Sequence, residues 1–293
     1  MTATLARPTT RVHPAVAGGI LALAGVLLLP LAVALPAQTT MYGLATFGLM
    51  HVAFELRYVI GRFRASVDGV LAALLVLTLS LIALSRVVAS MFPTVGQPIE
   101  IILGVAILGL GVWVAGWRRF GLAAVALLGV AALLWPDVYF QVLTHIHNLI
   151  PVLFLCDWAR RRFPRAGQQW LFLALNLIWA VVLPVGLLVT VSPAEPVVFA
   201  LLQAMHYVVW IGFFPLFGRE ESREFDRAVP ALRGWRLPAL AVGAGLLLGV
   251  AFLAEYAVGR TIYSIVAAYH VYVEFPLLVL LAAGSRRAPR AVR

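Results

Sequence analysis

The chain has no lysine and a single cysteine, at position 156. Without a lysine amine there can be no retinal Schiff base. One cysteine excludes an internal disulfide and a thiolate-rich metal cluster, which leaves Cys156 as a packing residue. Charge of either sign is also scarce: only 12% of the 293 residues are charged, 63% are hydrophobic, and the mean hydropathy is +0.99. That balance excludes an ordinary soluble domain. The net charge of +10 is carried wholly by arginine. Those arginines stand in short clusters between apolar runs and form no basic, aromatic face, so they speak for orientation in a membrane and against nucleic acid.

What the chain does have is long apolar runs. They cover residues 15–35, 40–61, 67–90, 98–117, 120–135, 137–158, 170–191, 196–217, 237–258 and 261–283, and each is read as a membrane helix. The first run exceeds the apolar core of a secretory signal and is therefore counted as a span. The fifth is short and parted from the sixth only by Pro136. The arginines test this count separately. Arg7 and Arg11, Arg62 and Arg64, Arg118 and Arg119, Arg160 to Arg165, Arg219 to Arg236, and Arg286 to Arg293 fall on one side, leaving Arg86 and Arg260 at the edges of the other. The positive-inside rule then places both termini in the cytoplasm of a bacterial-type inner or cell membrane. The expectation is an all-α, polytopic chain of about ten spans. It forms one transmembrane domain over 1–293, with cytoplasmic tails at about 1–14 and 285–293 and a cytoplasmic loop at about 218–236.

That loop, GREESREFDRAVPALRGWR, mixes Glu220, Glu221, Glu224 and Asp226 with arginines and reads as a solvated surface helix. Gly245 and Gly249 stand four apart in the ninth span, a signal for close helix packing.

Histidine carries the chemistry. His51 and Glu55 are four residues apart in the second span, and His270 and Glu274 repeat the spacing in the tenth. On a helix both members of each pair lie on one face, one turn apart. His145 and His147 lie on the sixth span and His206 on the eighth, whereas His13 sits in a polar flank and is read as solvated. Apart from His13 every histidine is on an even-numbered span, roughly 12–17 Å from the same end at 1.5 Å per residue. They share one layer near the bilayer centre, and Glu55 and Glu274 lie about a turn deeper. Ionisable groups at that depth are costly and are kept where they face the protein interior with partners.

Local polarity chooses among faces. Gln141, Thr144, His145 and Asn148 follow helical spacing, which favours His145 as the inward residue and turns His147 about 200° away. Gln203 shares the face of His206. Arg57 points away from Glu55 and is expected to snorkel towards the surface. The expected metal ligands are therefore His51, His145, His206 and His270 with Glu55 and Glu274, one glutamate serving also as a catalytic proton acceptor. His147, Gln141, Asn148 and Gln203 would support the ligands by hydrogen bonding.

Imidazole and carboxylate together suit a divalent metal, with iron the best fit and zinc or manganese compatible. Zinc hydrolysis generally uses three protein ligands and a water, fewer than this set offers. The reading is a membrane-embedded, non-haem iron oxidoreductase or oxygenase acting on a lipophilic small molecule, with an unidentified electron donor. The clustered histidine boxes of integral-membrane desaturases are absent. Two other classes fit parts of the pattern. A proton-coupled transporter would use the same residues as a relay, and requires a polar path to both surfaces. A bis-histidine haem protein would use two histidines and leave both glutamates unexplained.

Overall fold

The computed structural model describes residues 12–67 and 69–284. Arg7, Arg11, the arginines from 286 onward and most of the expected cytoplasmic tails thus lie outside the described residues. Helix makes up 90% of the structure, with no strand among the described residues, so the chain is an all-α, polytopic membrane protein. The helices are α1 (Pro14–Ala34), α2 (Pro36–Phe63), α3 (Gly69–Met91), α4 (Pro93–Ala115), α5 (Phe120–Leu134), α6 (Pro136–Arg162), α7 (Ala166–Thr190), α8 (Glu195–Phe217), α9 (Arg219–Ala228), α10 (Arg236–Ala254) and α11 (Tyr256–Gly284).

Eight of them are long and apolar enough to cross a bilayer: α1, α3, α4, α6, α7, α8, α10 and α11. The other two expected spans fall short for different reasons. α5 has 15 residues, below the roughly 20 that a straight crossing needs. α2 has 28 residues but gives up apolar positions to Gln38, His51, Glu55, Arg57 and Arg62.

Proline sets much of the punctuation. Pro36, Pro93 and Pro136 each open a helix, where the missing N–H costs nothing, after a single non-helical residue (Leu35, Phe92 and Trp135). Within α7 and α8 the chain widens into π-helical turns at Ile178–Val182 and Val208–Phe213. Each turn ends two residues before a proline, Pro184 and Pro215 respectively. A proline inside a helix removes one hydrogen bond and pushes on the carbonyl four residues back, and a local π turn relieves that crowding.

α8 is the most interior span, with 72% of its apolar window buried against 33% for α1. It packs on α2 and α6, which both also pack on α11, so these four helices close a ring in the order α2, α8, α6, α11. α10 lies along α2, where Gly245 faces the Thr46 carbonyl and Met50. A Cβ there would stand 3.2 Å from that carbonyl, which is the close packing that the Gly245/Gly249 pair signals.

Two ion-pair networks tie the bundle. Arg86 of α3 donates from Nε and Nη2 to Glu100 Oε1 of α4, at 3.0 and 2.8 Å, and from Nη1 to the Ser264 carbonyl of α11 at 2.8 Å. The Tyr272 hydroxyl donates to the same Glu100 oxygen at 2.8 Å, and Glu100 is buried. Removing one partner of such a pair strands the other charge, a cost of about 3–5 kcal/mol. Arg86→Gln is therefore expected to lower the melting temperature of the detergent-solubilised protein sharply. A variant that melts with the parent would show the pair to be dispensable.

The second network corrects two expectations. α9 is not a solvated helix, for it packs against α2 and buries Glu221 and Phe225. Gly61 of α2 makes this possible, since a Cβ there would lie 1.9 Å from the Glu221 carbonyl oxygen. Arg57 does not snorkel but pairs with Asp226 of α9 at 2.8 Å. Arg161 of α6 reaches Asp157 (3.0 Å), Glu221 (2.5 Å) and the Tyr58 hydroxyl (3.0 Å), while Arg62 holds Asp157 with both ends of its guanidinium fork at 2.8 and 3.0 Å. Glu221 and Asp226 read as solvent-facing in the sequence because their partners, Arg161 and Arg57, sit more than fifty residues away in the chain.

Candidate metal centre

The ring of four helices delivers four imidazoles to one place. His51 comes from α2, His206 from α8, His147 from α6 and His270 from α11, all of them buried. One nitrogen from each can be chosen so that all four lie within 4.8 Å of one another. Ring centroids follow the helix order: His51 to His206 is 5.0 Å, His206 to His147 is 4.5 Å, His147 to His270 is 4.7 Å, and His270 back to His51 is 4.7 Å. Across the ring, His206 and His270 are 6.4 Å apart.

Hydrogen bonds on the outer side of the rings decide what the inner side offers. His51 Nδ1 lies 3.1 Å from the Phe47 carbonyl oxygen. His147 Nδ1 lies 2.7 Å from Glu274 Oε2. A carbonyl oxygen can only accept, so His51 Nδ1 carries the hydrogen and His51 Nε2 presents a lone pair, and an ionised Glu274 sets His147 in the same tautomer. Those two lone pairs point at His270 Nε2, which stands 3.1 Å from His51 Nε2 and 3.0 Å from His147 Nε2. One N–H on His270 cannot satisfy two acceptors well. The His206 ring lies against the His147 backbone, yet neither of its nitrogens has a hydrogen-bond partner of normal geometry among the described residues. Buried polar atoms of native proteins nearly always find partners, so these nitrogens are available to an ion or to a hydrogen-bond donor. Nitrogens bound at about 2.1 Å to one ion stand about 3.0 Å apart when at right angles, close to the two separations seen here.

The carboxylates flank this group. Glu274 is fully buried and meets the histidines through Nδ1 of His147. Glu55 is fully buried too and lies against the carboxyl group of Glu274, close enough for the two groups to share a proton. An imidazole held by a carboxylate on its far nitrogen is the arrangement that orients a metal-bound histidine and raises its basicity.

His145 is corrected: it does not join the group, and His147 takes the position expected for it. His145 is half-buried, with Nδ1 on the Gln141 carbonyl at 2.8 Å and Nε2 3.4 Å from the exposed Glu195. Gln141 and Thr144 share this outward face, so Gln141 supports no ligand, and Thr144 satisfies itself on the Phe140 carbonyl at 2.7 Å. The buried stripe of α6 is Leu143, His147, Ile150, Pro151, Phe154 and Trp158. Polarity was the wrong guide here, because the inner face of this helix packs against bulky side chains on its neighbours. The run from His147 through Pro151 and Phe154 to Trp158, at spacings of four, three and four, is the signal in the sequence that identifies it.

Of the remaining expected supports, Asn148 is buried. Gln203 acts at one remove, donating from Nε2 to the Tyr207 hydroxyl at 2.6 Å, and Tyr207 in turn packs its ring 4.7 Å from His51. Tyr207, Phe47 and the Arg86–Glu100–Tyr272 set were not anticipated. Arg86 and Glu100 lie six residues before and eight residues after Phe92, a pairing that a tight α3–α4 hairpin implies.

No protein-family model matches the chain, and neither the curated proteins nor the solved structures contain a match to it.

Proposed function

We propose that the chain is a membrane-embedded, metal-dependent oxidoreductase in which His51, His147, His206 and His270 hold one divalent ion, iron in the first place, and which acts on a lipophilic substrate. The observation that carries this reading is the pair of Nε2 lone pairs on His51 and His147, fixed by acceptors behind them and converging on His270 Nε2 at 3.1 and 3.0 Å. Imidazole suits iron and zinc, and no thiolate is at hand for softer ions. Iron bound there supplies redox chemistry with dioxygen as the oxidant. Glu274 holds the His147 ring in its tautomer. Glu55, buried beside Glu274 and one turn from His51, is the residue placed to pass a proton. Tyr207 and Trp210 lay aromatic rings against His51 and His206 and keep water from the group.

The geometry disfavours haem between these histidines. Axial nitrogens of a bis-histidine haem stand about 4 Å apart with the porphyrin between them. Nitrogens at 3.0 and 3.1 Å leave no slot for it.

Elemental analysis of protein purified without chelator is the test. The expected result is one equivalent of iron per chain with no Soret band. Protein that binds neither iron, zinc nor manganese after loading would overturn the assignment and return the histidines to a proton relay.

A further inference from the structure

Beyond the histidines there is a cavity of about 600 Å³ between α1, the first half of α2 and α8. Its volume falls in the range of pockets that hold small organic ligands. At roughly 30 Å³ per water-sized group it has room for on the order of twenty heavy atoms. None of the residues that line it carries a charge. Leu28 and Leu31 of α1 and the following Leu35 form one wall, and Leu31 and Leu35 are exposed on the outer surface of the bundle. The α2 wall runs from Gln38 to Phe47, about 14 Å along the helix. The cavity is a partly open groove, with exposed Leu31, Leu35 and Tyr42 at its rim.

Its two ends differ. Gln38, Thr39 and Tyr42 stand at the Pro36 end and provide the polar groups there. The other end is floored by Phe47 and Tyr207, whose rings are 6.1 Å apart. Both residues also touch the candidate metal centre: the Phe47 carbonyl takes the Nδ1 hydrogen of His51, and the Tyr207 ring lies 4.7 Å from the His51 ring. A groove that merely accommodated a bulk-lipid tail has no need to end on the residues that orient a metal ligand.

We infer that this groove is the substrate site, and that its ligand is a single elongated, uncharged hydrocarbon that enters from the bilayer between α1 and α8 and lies with one end against Phe47 and Tyr207. This rests on the oxidoreductase reading for its description of the ligand as substrate, while the binding itself stands independently of the metal. A charged head group is excluded from the groove because no charged side chain meets it there and burial of an unpaired charge is costly. Tyr207 is a positioning residue, held by Gln203 at 2.6 Å, and separates the ligand from the imidazoles.

The test uses a diazirine-bearing C18 hydrocarbon, photolysed with the purified full-length protein in lipid nanodiscs and mapped by peptide mass spectrometry. Gly212 lines the groove, and a Cβ there meets nothing within 4 Å, so Gly212→Phe fills the groove without a backbone clash. Leu31→Trp, at an exposed position of the rim, is the second blocking variant should the first fail to fold. Gly186→Phe is the control, since Gly186 has equally open space but does not line the groove. The expected result is labelling concentrated on the peptides containing Phe47 and Tyr207, competed by unlabelled hydrocarbon, reduced roughly tenfold by Gly212→Phe or Leu31→Trp and unchanged by Gly186→Phe. Metal content should be the same in all four proteins. Labelling that ignores both blocking variants overturns the proposal, as does equal competition by added phospholipid, which would make the groove a seat for a bilayer lipid. Protein that shows the labelling pattern but holds no metal would remove the oxidoreductase reading and leave the groove standing. Protein with metal but without the pattern would do the reverse.

Discussion

Replacing His270 by alanine is expected to abolish metal retention, the largest single effect in this protein. His270 Nε2 is the common neighbour of His51 Nε2 and His147 Nε2, so its loss removes the nitrogen around which the other two converge. Loss of an outer carboxylate typically lowers metal affinity about 10–100-fold, and loss of a directly bound imidazole should exceed the upper figure. His145→Ala is the internal control, because His145 lies outside the group with its nitrogens on Gln141 and Glu195. Measured by metal titration of protein stripped with chelator, His145→Ala should bind like the parent while His270→Ala should not bind. If the two variants behave alike, the four-histidine centre is wrong.

The second large effect concerns the glutamates. Glu274→Gln keeps the shape and leaves an amide oxygen that still accepts from His147 Nδ1, but it takes away the negative charge behind that ring. The expected consequence is a fall in metal affinity of about 10–100-fold together with a loss of turnover. Folding should not suffer in step. The substitution strands no opposite charge, because the group that Glu274 faces is the His147 imidazole. Glu55→Gln should likewise spare thermal stability, since the amide keeps the shape of the carboxyl group and can still hydrogen-bond to Glu274. Thermal melts and metal titrations on the same preparations separate these effects. Should both glutamine variants keep full metal content and full turnover, the carboxylates are packing residues and Glu55 is no proton acceptor.

Composition and periodicity by themselves determined that this is an all-α chain of membrane helices, because apolar runs of this length have no other use and a backbone in lipid must satisfy its hydrogen bonds within each segment. They also brought His51, His206 and His270 to one layer with Glu55 and Glu274 about a turn deeper, since a rise of 1.5 Å per residue converts position in a span into depth. Rotation about a helix axis is another matter. Residues 145 and 147 differ little in depth but point to nearly opposite sides, and only the packing of α6 against α8 and α11 turned His147 inward and left His145 beside Glu195. Pairings across the bundle were equally hidden. The Arg86–Glu100–Tyr272 set, the docking of α9 on Gly61 and the seat of Tyr207 on His51 each join residues from helices distant in the chain. A side chain's depth is written in its own segment, whereas its azimuth and its partner are settled by which neighbouring surfaces fit, and that is a property of the assembled helices.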